Sequence, residues 1–172
     1  MRTIKYFGGL LFCMILLVAL SCQKETKKSI QNCCLSRDDS LSILKEITAT
    51  TDAYAVANNN LDAEKCAEFW DSSSDLLFAE TGIEYTSWDS IYIYIKKWYS
   101  QPLDSVQFIY EERKINPLNL NAATLYFKAF FRAKFKSGLV YKSRVNAAVV
   151  LIKKNDKWKT TIGYWSIKGL KN

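Results

Sequence analysis

The sequence predicts an α+β domain in which three helices precede a long antiparallel sheet. Apolar residues recur at helical spacing in the first part of the domain, and after Asp104 they alternate with polar residues as in half-buried strands. Helices followed by a run of strands are typical of α+β domains. The pattern covers residues 38–172, about 135 residues, which is enough for one domain with a single core.

Three segments have helical character. The first covers residues 38–59, and the second covers 61–70 with Asn60 as its predicted N-cap. The third begins at the capping-box sequence 86–89 and must end before Pro102, because proline cannot continue a helix. We therefore expect two helices before the first strands and one after them.

The remaining segments alternate between apolar and polar residues. The predicted strands are 76–79, 83–85, 122–136, 139–153 and 158–167, and an earlier strand begins after Asp104, where Val106, Phe108 and Tyr110 alternate. The turn sequences between neighbouring strands are Thr81-Gly82, Ser137-Gly138 and Asn155-Asp156. The chain should therefore form a small hairpin and later a curved antiparallel meander.

The first 21 residues have the organisation of an export signal. Arg2 and Lys5 form a positively charged start, and the apolar run 7–20 is too short to cross a bilayer as a relaxed helix. An Ala-Leu-Ser-Cys sequence ends at Cys22, where the chain becomes polar. This leader resembles a bacterial lipoprotein signal with Cys22 as the lipidated residue. The alternative is an ordinary signal peptide cut near Ser21, with Cys22 unmodified.

Lipidation would divide the chain into a signal peptide (1–21), a flexible tether (22–37) and a folded domain (38–172). The protein would then be exported and anchored in the bacterial cell envelope by lipid on Cys22. Gln23 after the cysteine resembles lipoproteins that reach the outer membrane. Cleavage removes two positive charges from the formal +7 and leaves the mature chain at +5.

Three other cysteines of the mature chain are Cys33, Cys34 and Cys66. Export permits disulfides, so a bond from Cys66 to Cys33 or Cys34 is one interpretation. Adjacent cysteines rarely bond to each other without strain. Unpaired thiols are the other interpretation, and the sequence leaves both open.

Several short motifs follow one another in the domain. They are Asn60-Leu61-Asp62 through Phe69-Trp70, Tyr85-Thr86-Ser87-Trp88, and Asn155-Asp156-Lys157-Trp158 with Ser166. Their order and spacing resemble the nuclear transport factor 2-like superfamily, specifically its bacterial SnoaL-like branch. The resemblance covers about residues 38–170 and implies a cone-shaped fold, in which a bent sheet wraps the helices around a pocket. Members commonly pair through the sheet, which implies a homodimer.

The resemblance also implies where a reaction would occur. In steroid-isomerase-like and cyclase-like members, a carboxylate in an apolar site moves a proton while a tyrosine or a second acid holds the oxyanion. Tyr54 and Glu80 are the catalytic candidates on this basis, while Asn146 lies near the place of a second acid. Ile162 and Tyr164 stand where many relatives have histidines. The chain has no histidine, which excludes proton transfer by imidazole.

The aromatic residues of the domain permit a cavity for an apolar or ring-bearing ligand. The candidate ligand-binding residues are Tyr54, Arg144, Asn146 and Tyr164. Strand alternation places Arg144 and Asn146 on one face, and a buried arginine needs an anionic partner, so the ligand is apolar or anionic. The alternative for Arg144 is an exposed cation on the sheet. No cofactor and no metal site are predicted, because the chain lacks histidine and a carboxylate cluster.

A basic strip interleaved with phenylalanines superficially suggests nucleic-acid binding. Its members are Lys128, Arg132, Lys134 and Lys136. Predicted export and the lack of an RNP-type motif argue against a nucleic-acid partner. A solvated sheet face is the leading explanation of the strip, and attraction toward anionic lipid or polysaccharide at the membrane is the second.

Three functions remain after these exclusions. We favour a membrane-tethered, non-catalytic binding or accessory domain. The second is a small isomerase, dehydratase or cyclase that uses Tyr54 and Glu80 on an apolar ligand. The third is a dimerising interaction module with a vestigial pocket.

Overall fold

Three helices and six strands make up the part of the chain that the computed structural model describes, residues 35–73 and 75–170. The helices are α1 (Arg37–Asn59), α2 (Ala63–Ala67) and α3 (Trp88–Tyr99). The strands are β1 (Leu77–Glu80), β2 (Ile83–Tyr85), β3 (Leu103–Asn119), β4 (Ala122–Phe135), β5 (Val140–Lys154) and β6 (Lys157–Gly169). The predicted α+β class is confirmed.

Each helix begins at a side chain that accepts a backbone N–H. Ser36 caps α1, Asp62 caps α2 and Ser87 caps α3. The second helix is shorter than predicted, and Asn60 is not its cap. Asn60 instead closes α1 by donating its backbone N–H to the Val56 carbonyl, and Leu61 then takes a left-handed φ of 57°. The helical path is therefore broken before Asp62.

The six strands form one curved, unclosed sheet in the order β2-β1-β6-β5-β4-β3. Strands β3 to β6 form the predicted antiparallel meander, and β1 with β2 forms the predicted hairpin. Thr81 and Gly82 both have positive φ in the hairpin turn, as a two-residue turn of this kind requires. Strand β1 also pairs in parallel with β6, which places Glu80 beside Trp165. This parallel junction was not predicted.

The core between the helices and the inner face of the sheet is aromatic. The ring centroid of Trp165 lies 5.9 Å from that of Trp70, 5.4 Å from that of Phe78 and 5.6 Å from that of Phe127. Gly163 makes room for this packing, because a Cβ atom there would lie 3.3 Å from Trp70 and 3.4 Å from Phe78. The aromatic cluster holds β1 against β6.

Strand β5 turns its odd-numbered residues toward the core. Val145, Ala147 and Val149 are buried, so Arg144 and Asn146 lie on the outer face. The interpretation of Arg144 and Asn146 as pocket residues is therefore wrong, and the alternative for Arg144, an exposed cation on the sheet, is the one that the structure shows. In a pleated strand either the odd-numbered or the even-numbered residues face the core. The odd-numbered set of β5 is the more apolar one, so it is the set that is buried.

A bulge reverses the alternation within β6. Val150 pairs with Ile162 and Leu151 pairs with Thr160, so Thr161 has no partner on β5. As a result Trp165 faces the core, and Tyr164, 57% exposed, lies on the outer face. The expectation that Tyr164 lines a pocket is therefore also wrong.

The basic strip lies on the outer face beside acidic partners. Lys128 is 2.8 Å from Glu112, and Lys134 is 2.7 Å from Asp104. These pairs are solvent-exposed, so each contributes little to stability. The acidic partners neutralise part of the positive charge of the basic strip.

Of the cysteines that could form a disulfide or remain unpaired, Cys66 is the one that the structure describes. Cys66 is buried and has a free thiol. Cys22, Cys33 and Cys34, with the leader and most of the tether, lie outside the described residues. Within those residues no helix is long and apolar enough to cross a membrane, and no cluster of acidic or cysteine side chains has the geometry of a metal site.

Candidate functional site

A cavity of about 490 Å³ lies between the helices and the inner face of the sheet. We call it the Glu80 cavity. Nine of its sixteen lining residues are aromatic: Tyr54, Tyr94, Trp98, Tyr99, Phe108, Phe131, Phe135, Tyr141 and Trp165. The other seven are Asn58, Glu80, Ile95, Leu139, Ser143, Val145 and Ile167. Within this lining, Glu80 alone carries a formal charge.

Glu80 enters the cavity from the end of β1. The Tyr94 hydroxyl on α3 donates a hydrogen bond to Glu80 Oε1 at 2.9 Å. Burial raises the pKa of the Glu80 carboxyl above its ordinary value, and the hydrogen bond from Tyr94 offsets part of that rise. Glu80 is therefore a carboxyl group that holds its proton more tightly than an exposed glutamate does.

A second hydrogen-bond network forms another part of the wall. The Tyr99 hydroxyl donates to Asn58 Oδ1 at 2.7 Å, and Asn58 Nδ2 donates to the Tyr54 carbonyl at 2.8 Å. The Tyr99 oxygen also lies 3.4 Å from the sulfur of Cys66, which is placed to donate its S–H. Burial raises the pKa of the Cys66 thiol to about 11, so it stays protonated and unreactive.

Tyr54 lies deep in the cavity wall, where α1 crosses the sheet. Its ring centroid is 4.5 Å from that of Phe69 and 5.7 Å from that of Phe108. Burial raises the pKa of the Tyr54 hydroxyl well above its usual value, so the phenol remains neutral. Tyr54 therefore contributes ring surface and a neutral hydroxyl to the site.

The cavity opens beside the turn between β4 and β5. Leu139 is 61% exposed and Tyr141 is 38% exposed, while Tyr54 and Trp165 in the same lining are buried. Trp98 faces this opening from α3, with its ring centroid 6.4 Å from that of Tyr141. A ligand would therefore enter between the end of α3 and the β4–β5 turn.

The structure brings together two of the residues singled out from the sequence. Tyr54 and Glu80 line the same cavity. Arg144 does not reach it; its side chain is 62% exposed and lies 3.6 Å from Glu111 on the outer face. Asn146 and Tyr164 are on that outer face as well, and Cys22 lies outside the described residues.

Sequence reasoning missed Tyr94 and Asn58 as site residues. In α3, Ile91, Ile95 and Trp98 share one face at helical spacing, and Tyr94 fits the same stripe at the i+3 position from Ile91. That spacing was the available signal for Tyr94. Asn58 had no comparable signal, because a buried polar residue near a helix end looks like an exposed one in sequence.

A second cavity of about 450 Å³ lies along α1 beside the β5–β6 turn. Its charged lining residues are Glu46, Lys65, Glu68, Asp156, Lys157 and Lys159. Glu46 Oε2 is already held by Lys153 Nζ and by the indole N–H of Trp158, both at 2.8 Å. The lining carries charges of both signs, and Glu46 is already paired. This second cavity therefore indicates a class of ligand less clearly than the Glu80 cavity does.

No family model matches this sequence, and no protein with a curated description matches it. Solved structures do match its fold. A nuclear transport factor 2-like superfamily protein from Salmonella enterica serovar Typhimurium has a TM-score of 0.66 and 16% identity, over 77% of this chain and 94% of that chain.

Two further solved structures bear names of enzymes. A Novosphingobium aromaticivorans protein, named as a proposed scytalone dehydratase, has a TM-score of 0.69 and 10% identity, over 79% of this chain and 89% of that chain. A type 2 hexachlorocyclohexane dehydrochlorinase (LinA) has a TM-score of 0.65 and 9% identity, over 80% of this chain and 95% of that chain. At these identities the likeness shows the fold alone, and it confirms the predicted nuclear transport factor 2-like cone.

Proposed function

We propose that this domain binds a small, ring-bearing and mostly apolar molecule in the Glu80 cavity. The observation that carries the proposal is one partly desolvated carboxyl group, Glu80, in a wall that is otherwise largely aromatic. A volume of about 490 Å³ lies within the range of small-molecule sites, about 300–1,000 Å³. Aromatic walls with few polar groups are typical of such sites.

Hydrogen bonds within the wall favour binding over reaction. The Tyr94 hydroxyl donates to Glu80 and the Tyr99 hydroxyl donates to Asn58, so both protons are already committed. These two phenols are therefore not free to hold a developing oxyanion, which enol chemistry would need, although the buried indole N–H of Trp165 in the same wall has no partner among the described residues. A wall fixed in this way is instead pre-organised to receive a ligand without further ordering.

Native mass spectrometry tests the binding proposal on the chain from residue 22 onward, with Cys22→Ser so that no lipid or detergent competes. Ile167 lines the cavity and Ser166 is on the outer face, so Ile167→Trp fills the cavity and Ser166→Trp is the matched control. We expect a co-purified small molecule on the parent chain and on Ser166→Trp, and its loss from Ile167→Trp. Absence from all three, or retention by Ile167→Trp, would reject the proposal.

Proton transfer by Glu80 is the second candidate function. The raised pKa of the carboxyl group favours it, because a general acid or base works best near the operating pH. Solved structures of this fold named for dehydratase and dehydrochlorinase activity also support an enzyme. Under this proposal Glu80 moves a proton on an apolar ring substrate in an isomerisation, dehydration or cyclisation, and Tyr54 lies in the same cavity.

Deuterium exchange into a panel of cyclic ketones, followed by NMR, tests this candidate. We expect Glu80→Gln to slow exchange by about 10²–10⁴-fold. Glu84→Gln is the control, since Glu84 is exposed on β2. Equal rates for the parent chain and Glu80→Gln would remove Glu80 as the base.

We also propose that the domain is held at an envelope membrane by lipid on Cys22. The leader sequence supports this placement, and two or more acyl chains would anchor the protein stably. Metabolic labelling with an alkyne fatty acid should mark the parent chain and Cys33→Ser, and should fail to mark Cys22→Ser. A Cys22→Ser chain that still fractionates with membranes would contradict the proposal.

A further inference from the structure

We infer that the Glu80 cavity selects a ring-bearing organic cation, such as an ammonium group joined to an aromatic or saturated ring. The inference rests on the proposed binding function and names its ligand class. It follows from the charge of the lining, the free oxygen of the carboxylate and the aromatic faces around it.

The charge of the cavity requires a positive partner. Glu80 is the charged member of the described lining, which contains no lysine and no arginine. A neutral ligand can at most donate a hydrogen bond to the carboxylate, as Tyr94 does, and leaves its negative charge without a countercharge, which is unfavourable away from water. An anionic ligand would add repulsion, whereas a cation supplies the missing countercharge.

Glu80 has an oxygen atom available for that partner. Tyr94 donates to Oε1 and holds the carboxylate in place. Within the described part of the chain Oε2 accepts no hydrogen bond. An ammonium group can therefore reach Oε2 without breaking the contact with Tyr94.

The aromatic faces around Glu80 add a second attraction for positive charge. The negative face of an aromatic ring attracts cations, and the attraction is stronger where water is excluded. Tyr94 adjoins Glu80 directly, Trp165 pairs with it across the β1–β6 junction, and Trp98 and Tyr141 face each other at the opening. These rings also leave apolar space for the ring of the ligand.

An isosteric pair of probes isolates the effect of charge. The probes are 4-(2-trimethylammonioethyl)phenol and 4-(3,3-dimethylbutyl)phenol, which differ by one nitrogen cation in place of a carbon. We would titrate each into the chain from residue 22 onward, with Cys22→Ser, and follow heat and tryptophan fluorescence. The trimethylammonium group has no N–H to donate, so its attraction to the carboxylate and the ring faces is purely electrostatic, and the cation should bind roughly tenfold tighter than its neutral isostere.

Two glutamate variants test whether Glu80 causes that preference. Glu80→Gln keeps the shape and an acceptor for Tyr94, so it should bind both probes within about twofold of each other. Glu84→Gln, on the exposed β2, should keep the tenfold preference. Circular dichroism confirms that each variant is folded.

The remaining outcomes separate this inference from the binding function. Equal affinity of the two probes for the parent chain would overturn the cation inference and leave the binding function standing. A preference for the cation that survives in Glu80→Gln would also overturn it. Binding of neither probe at millimolar concentration would also overturn the cation inference, whereas the binding function is decided separately by the co-purified molecule and its loss from Ile167→Trp.

Discussion

Glu80 is placed where the solvent cannot fully stabilise its charge. The half-buried carboxyl has one hydrogen bond, from Tyr94, and burial outweighs that bond in setting its pKa. In the unfolded chain the Glu80 pKa returns to its ordinary value near 4.5. Above that pH the carboxylate is ionised in the unfolded chain, so burying it on folding costs free energy. Glu80, which we propose to be a ligand-binding residue, therefore lowers the stability of the ligand-free domain.

The first prediction is that Glu80→Gln stabilises the domain at pH 7. Between pH 4.5 and the raised folded pKa, the native state binds more protons at Glu80 than the unfolded state does. The Glu80 contribution to stability is therefore full below pH 4.5 and is lost as the pH rises through the folded pKa. The other titratable groups facing Glu80 are the phenols Tyr94 and Tyr85, whose pKa values burial raises, so they stay neutral in this window.

Thermal unfolding of the two chains from pH 3.5 to 8 measures the effect. The melting temperature of Glu80→Gln should exceed that of the parent chain at pH 7, and the gap should shrink toward pH 4. Other carboxylates cancel in this difference because both chains contain them. A gap that does not change with pH would contradict the assigned pKa direction.

The second prediction concerns the buried hydroxyl of Tyr99. Tyr99→Phe removes the donor to Asn58 Oδ1 and leaves that buried oxygen without its partner. We expect a loss of about 1–3 kcal/mol in the free energy of unfolding, measured by urea denaturation. Tyr92→Phe is the control, since Tyr92 donates to Glu64 in solvent and its loss should cost less than about 0.5 kcal/mol.

At the scale of elements, the third prediction tests the packing of β6 against β1. Gly163→Ala places a methyl group 3.3 Å from Trp70 and Val149, and these core side chains have little room to move. We expect a loss of about 1–3 kcal/mol in stability. Gly169→Ala, at the end of the same strand, meets nothing within 4 Å and should leave the unfolding midpoint nearly unchanged.

Sequence periodicity was sufficient to predict which elements exist. The capping-box sequence 86–89 and Pro102 predicted the limits of α3. Alternation predicted β4 and β5, because burial of one face imposes a two-residue period on a strand. The second helix begins later than predicted, at Ala63, because the left-handed φ of Leu61 has no sequence signature for a leucine.

The candidate site was predicted less completely, for identifiable physical reasons. Tyr54 and Glu80, the candidates taken from the resemblance, both line the cavity, and their catalytic roles stay predictions. The ligand-binding interpretation of Arg144 is wrong and its alternative, an exposed sheet cation, is correct, because the opposite and more apolar set of β5 residues is buried. Tyr164 was misplaced because a bulge at Thr161 depends on pairing between strands, which alternation along one strand cannot reveal.

At the scale of the whole molecule, the outer face of the sheet carries an exposed row of mostly apolar residues. Tyr126, Ala148 and Tyr164 lie side by side on β4, β5 and β6. Ile162, next to this row on β6, is 48% exposed. Such a patch favours association with a second copy through the sheet.

The fourth prediction is that the chain dimerises through this patch at micromolar concentration. Ala148→Glu would place a charge at its centre and should convert dimers to monomers in sedimentation velocity, because an unpaired charge is costly in an interface. Lys136→Glu, beside the β4–β5 turn, is the control and should remain dimeric. A parent chain that sediments as a monomer would contradict the prediction.

The parallel junction of β1 with β6 also sets an order of assembly. Glu80 lies on β1, but its neighbour Trp165 follows some 85 residues later in the chain. Closing so long a loop must precede the contact, so pairings of this kind form late in folding. Glu80 thus contacts Trp165 only after β6 has joined the sheet. A chain that lacks β6 therefore has no complete Glu80 cavity and cannot bind the ligand there.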